Sequence, residues 1–225
     1  MAVDEGQTGE AEADATGVRQ RLLNAAEAFF SDRGFENTSV RDLARAAKCN
    51  VAAVNYYFGS KEQLYVELWR RELQILRNSR LASIRRVMEQ PAGQGGLEQL
   101  LSSYSAAFIE PLADAAKGQR LMRLMAREIV HPRLPEGLFL NEMIKPVMDA
   151  LQEALLRVCP GVDRSRIPLL IVSLIGQLLH VLHIKAMFDR ATEPGWPKFS
   201  LDEAVRHVVE FSAAGIRAFV REETQ

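Results

Sequence analysis

Apolar residues along this chain recur at intervals of three and four, the spacing that places side chains on one face of a helix. Val18, Leu22, Ala26 and Phe29 share such a face, and Asp32-Arg33-Gly34 ends the first helix on a conformationally free glycine. Ser39 starts a second helix, with Asp42 as its capping-box partner and Val40, Leu43, Ala44 and Ala47 facing inward. Asn50 is a natural N-cap for a short third helix that turns Val54 and Phe58 to the core, and Gly59 stops it. Ser60 and Gln63 form another box, opening a long helix through Leu64, Leu68, Ile75 and Ile84 to about Met88. Pro91 and the Gly93-Gln94-Gly95-Gly96 stretch break it. Further helices are predicted over 97–115, 118–129, 137–158, 165–190 and 201–221, with breaks between them such as Glu193-Pro194-Gly195-Trp196-Pro197. No strand-like alternation bounded by turns occurs, so the fold is expected to be all-α.

Residues 39–58 describe two short helices joined by a tight turn and packed on the helix before them, the arrangement of a helix-turn-helix whose second helix enters the DNA major groove. The outward positions of that helix are Asn50, Val51, Ala52, Ala53, Asn55, Tyr56 and Tyr57, and none is acidic. Small residues allow close approach to base edges, Val or Ala can touch a thymine methyl group, and Asn55 can pair with adenine. The tyrosine hydroxyls, Lys61 in the first turn of the long helix, and Ser39 and Lys48 are expected to hold phosphates or position the motif. Plain helix packing with a protein-binding role is the rival reading of the same geometry.

Thr38-Ser39-Val40-Arg41-Asp42-Leu43-Ala44-Arg45-Ala46-Ala47, followed by Val54-Asn55-Tyr56-Tyr57-Phe58-Gly59-Ser60-Lys61-Glu62-Gln63-Leu64, closely resembles the TetR family of bacterial transcriptional regulators. Ala25 to Phe30 and Arg33-Gly34-Phe35 resemble that family's first helix and following turn. The resemblance covers about residues 16–66. It implies a homodimeric, all-helical repressor that binds double-stranded operator DNA and whose larger C-terminal domain binds a small effector. Lys48 stands where the family usually has glycine, and Asn55 and Tyr57 replace its usual tyrosine and histidine, so base preference does not carry over. A repressor and an activator look alike at this level.

The expected organisation is a disordered acidic tail at 1–15, a DNA-binding domain at 16–62 and an effector-binding and dimerisation domain at 63–225. In the last, Leu121, Met122 and Met125, with Phe139, Met143 and Val147, form methionine-rich segments suited to an irregular apolar pocket. Phe108 and His180 are added to that candidate pocket. Arg120 to Pro132, Ile144-Lys145-Pro146 and Leu174 to Gln177 resemble CecR-type C-terminal domains of the family, which names no ligand. The helix around 167–184 is apolar nearly all round and needs cover on both sides. Leu174, Leu178 and Val181 there, with Val205, Val208, Ser212, Ile216 and Phe219 on the last helix, are the expected homodimer interface, where Ala213, Ala214 and Gly215 permit close approach.

Composition narrows the partners and the compartment. The chain has 225 residues, 48% apolar and 25% charged, as expected for a globular protein. Net charge is −1, but residues 1–15 carry five acids and no base, which leaves the remainder at +4. Two cysteines make no disulfide framework, and no signal-peptide pattern is seen, so a cytoplasmic location is expected. Ile167 to Ile184 is apolar enough to suggest a membrane span, but Ser173, Gln177, His180 and His183 argue against one. No catalytic constellation, cofactor motif or complete metal-ligand set is expected; His180 and His183 lack a third ligand nearby.

Overall fold

The computed structural model describes residues 6–90, 96–114, 116–190, 195–196 and 198–220. The helices among them are α1 (Gly6–Arg33), α2 (Val40–Ala46), α3 (Ala52–Phe58), α4 (Lys61–Met88), α5 (Leu97–Ala113), α6 (Lys117–Val130), α7 (Lys145–Val158), α8 (Ile167–Arg190) and α9 (Leu201–Ala218), with a π-helical turn at Leu140–Ile144 leading into α7. No β-strand occurs among the described residues. The all-α expectation holds, and each helix lies within a few residues of its expected bounds. The first helix is drawn from Gly6; residues 1–5 lie outside the described residues, as do the expected breaks at 91–95 and 191–194.

The chain divides into two compact units, Met1–Leu73 with Ala115–Leu138, and Gln74–Asp114 with Phe139–Gln225. In this division α6 packs in the unit of the helix-turn-helix, and α4 contributes to both units. In the first unit Leu22, Ala26 and Phe30 of α1, Leu43 and Ala44 of α2, Val54 and Phe58 of α3, and Leu64 and Leu68 of α4 are buried. Phe30, Phe35 and Tyr65 form an aromatic cluster with ring centroids 5.3–5.5 Å apart. Helix α6 is fastened to the end of α1: Arg127 donates to the Ser31 and Asp32 carbonyls, and Arg123 pairs with Asp32 at 2.8 Å. Gly34 has φ +82°, a conformation glycine adopts freely, and a Cβ there would displace the Arg127 guanidinium, 2.9 Å away.

In the second unit, Leu100, Leu101 and Tyr104 of α5, Leu151 and Leu155 of α7, Ile171, Leu174 and Leu178 of α8, and Val208, Ala213 and Ile216 of α9 are buried. The π-helical turn has a local cause. Pro146 has no N–H to offer the carbonyl four residues earlier, and that Glu142 carbonyl accepts instead from Arg77 at 2.8 Å. Helix α8 has the length and apolarity of a membrane span, yet Ile167, Ile171, Leu174 and Leu178 on one of its faces are buried within the unit.

Candidate nucleic-acid interface

Local hydrogen bonds fix the helix-turn-helix. The Ser39 hydroxyl accepts from the Asp42 N–H at 3.1 Å and the Asp42 carboxylate accepts from the Ser39 N–H at 3.3 Å, completing the expected capping box. The Ser39 hydroxyl also donates to that carboxylate at 2.6 Å, which together with the Ser39 N–H holds the Asp42 carboxyl below its ordinary range. Arg21 of α1 donates to the Ala47 carbonyl at the end of α2 at 2.9 Å. In the turn, Lys48 adopts φ +52°, a conformation that costs a residue with a Cβ about 1 kcal/mol. The turn does require the conformation that glycine adopts freely. Asn50 precedes the third helix, whose N-cap is Val51, and its side-chain oxygen accepts from the Ala52 N–H at 2.8 Å, closing the turn into the helix.

This scaffold sorts the residues of α3. Val54 and Phe58 point into the core, while Asn50, Val51, Ala52, Asn55 and Tyr56 are exposed and Ala53 and Tyr57 half-buried. Tyr56 is 82% exposed, and its ring packs edge-on against Tyr57 at 4.9 Å. Tyr56 thus offers its ring and hydroxyl to solvent on the outward side of this two-turn helix. Ser39 and Lys48 are exposed on the same motif. Sequence reasoning passed over Arg41 and Arg45, both exposed and one turn apart on α2; their i, i+4 spacing on the side opposite Leu43 and Ala44 was the available signal. Their charges, with that of Lys48, make the exposed surface of this motif basic.

Lys61 is half-buried. Its ammonium donates to the Phe35 and Thr38 carbonyls, each at 3.0 Å, and lies 4.0 Å from the centre of the Phe35 ring. In this position it clamps the connection between α1 and α2. Glu128 is a second clamp. It accepts from the Tyr65 hydroxyl at 2.7 Å and from the backbone N–H groups of Arg133 and Leu134, each at 2.7 Å. Burial and the Glu128 charge together push the Tyr65 phenol above its ordinary pKa.

The candidate effector residues fall in both units. Leu121, Met122 and Met125 lie on α6 in the first unit; Phe108, Phe139, Met143 and Val147 belong to the second. Phe108, Met143 and Val147 are buried, and Phe139 is half-buried. His180 is exposed on α8, as is His183. The dimer residues divide too. Leu174, Leu178, Val208 and Ile216 are buried by the chain's own second unit and are withdrawn from the interface, while Val181, Val205 and Ser212 are half-buried and Phe219 is exposed. The outer apolar face of α8 instead carries Leu169, Val172 and Leu179, and that of α9 carries Phe211. A helix apolar on both sides could not reveal from its sequence which side the chain itself would cover.

Comparison with known proteins bears on both halves. Residues 22–68 match the family model for bacterial regulatory proteins of the tetR family, and residues 106–215 match that for tetracyclin repressor-like C-terminal domains. The chain is 45% identical over 49 residues to the HTH-type transcriptional dual regulator CecR of Shigella flexneri, an alignment that takes in only 22% of either protein. It is 27% identical over 156 residues to the regulator BetI of Agrobacterium fabrum, covering 66% of this chain and 68% of that one. Among solved structures, the regulator FadR of Bacillus subtilis, in complex with stearoyl-CoA, superposes with a TM-score of 0.63 at 18% identity, over 88% of this chain and 98% of that one.

Proposed function

Because the chain belongs to the TetR family of transcriptional regulators, a family of DNA-binding proteins and not of enzymes, we propose that it is a cytoplasmic, homodimeric repressor released from a palindromic operator by a small apolar or amphipathic effector. The observation that carries this reading is the outer face of α3. It presents Asn50, Val51, Ala52, Asn55 and Tyr56 to solvent without an acid, on a scaffold held by the Ser39–Asp42 box and the Lys61 clamp. Asn55 and the small residues suit base edges, while Lys48, Arg41, Arg45 and the tyrosine hydroxyls suit phosphates.

A seven-residue recognition helix reads only a few base pairs, and specificity in a genome requires two such readings joined by symmetry. Dimerisation through α8 and α9 would join them. Leu169 is 71% exposed and Phe211 63%, and each helix carries a glycine, Gly176 and Gly215, with open space where a Cβ would stand. Leu169, Val172, Gly176 and Leu179 follow one stripe along α8, which lets a second copy approach closely. Effector binding in the second unit, near Phe108, Met143 and Val147, would then shift the population toward a dimer whose recognition helices are wrongly spaced.

Footprinting on the DNA upstream of the protein's own gene tests the reading. The expected result is protection of an approximately palindromic site with half-sites centred about one helical turn apart, or a larger whole number of turns if two dimers bind. Protection of an asymmetric site by a single subunit would overturn it.

A further inference from the structure

Arg80 of α4 is 3% exposed, within the second unit, and no carboxylate of the described residues pairs with it. Its guanidinium lies 4.1 Å from the centre of the Phe108 ring, and one Nη meets the Met143 sulfur at 3.4 Å. A thioether is a weak acceptor and an aromatic face a weak counter-charge. The Nε–H has no acceptor at all. On the facing helix α5, the hydroxyls of Tyr104 and Ser105, both fully buried, also lack a partner. Phe108 touches both sides of this arrangement, its ring 6.1 Å from that of Tyr104. Burial lowers the Arg80 pKa and raises that of Tyr104 to about 12, so the phenol stays protonated and available as a donor.

A buried guanidinium without a counter-charge is among the costliest arrangements a core can hold. Water could complete the missing hydrogen bonds but cannot neutralise the charge. We propose that Arg80 and Tyr104 are the head-group subsite for a monoanionic, amphipathic effector, a carboxylate carried on an apolar body. A planar carboxylate matches the guanidinium fork, one negative charge balances one positive charge, and the Tyr104 hydroxyl supplies a further donor. Phe108 and Met143 provide the apolar start of the site for the body of the ligand. This rests on the effector reading above and specifies the chemistry of the effector's polar end.

Three probes with one tail and three heads test it on the full chain: decanoate, decanol and decyltrimethylammonium. By calorimetry, decanoate should bind at least about tenfold more tightly than decanol, the difference expected of one charge-assisted hydrogen bond, and the cation should not bind. Arg80→Met should abolish the preference for decanoate and leave the ligand-free protein as stable as the wild type or more so, since it removes an uncompensated buried charge. Tyr104→Phe, a smaller change, should weaken decanoate by several-fold with little effect on decanol. Equal affinity for decanoate and decanol, no binding of decanoate, or an Arg80→Met variant that keeps the preference would overturn the proposal. Operator affinity measured in the same samples separates the two readings. Decanoate that binds through Arg80 without weakening DNA binding keeps the anion site and removes release by this ligand. Release by decanol and decanoate alike keeps the effector reading and removes the anion site.

Discussion

Lys61 places a full charge against two backbone carbonyls and an aromatic ring, and that placement decides what its removal will do. Lys61→Met keeps the apolar stem over Phe35 and deletes only the donor. The Phe35 and Thr38 carbonyls then lose their partner at the connection from α1 to α2, a loss of about 1–3 kcal/mol in the stability of the helix-turn-helix unit. Urea or thermal unfolding measures it. Because the ammonium does not reach outward, the salt dependence of operator binding should keep its slope in this variant. A slope reduced by about one unit with stability unchanged would return Lys61 to the phosphate contacts.

At the scale of the element, α2, the turn and α3 form one basic surface whose charges are carried chiefly by Arg41, Arg45 and Lys48. Arg41→Ala and Arg45→Ala are expected to weaken operator binding uniformly across site variants, each lowering the slope of log affinity against log salt by about one. Titrations at several salt concentrations check this, and an unchanged slope in both would place DNA elsewhere. Much of this element was legible in the sequence because its determinants are local. The Ser39–Asp42 box and Val54 and Phe58 as the core face follow from spacing, and the lysine in a turn suited to glycine appears as φ +52° at Lys48. The expected cap shifts by one residue: Val51 is the N-cap of α3, and Asn50 closes the turn before it. What the sequence does not carry has the opposite character. The carbonyl partners of Lys61 are brought near only by tertiary packing. The helical period of α6 was plain, but that Arg127 and Glu128 find partners on α1 and α4 follows from the fold and not from spacing.

For the whole molecule, assembly depends on which apolar side chains the single chain has already covered. Leu178 is fully buried in the second unit, whereas Phe211 stands 63% exposed on α9 and Val172 is exposed on α8. Glutamate at these positions should therefore have different consequences, although all three lie on the two helices assigned to dimerisation. Leu178→Glu buries a carboxylate without a partner and should unfold the unit, whatever the oligomeric state. Phe211→Glu and Val172→Glu leave the monomer core intact, and on a two-fold interface each substitution brings two carboxylates into one apolar contact. They should yield a helical, cooperatively folding monomer at micromolar concentration, by sedimentation velocity and circular dichroism together. Operator affinity should fall with dimerisation, by about 10²–10⁴, because the second half-site would no longer be bound at the high effective concentration that linkage provides. A Phe211→Glu, Val172→Glu double variant that sediments as a dimer would exclude this face as the interface. A wild-type chain that is already a folded monomer would remove the symmetric operator along with it.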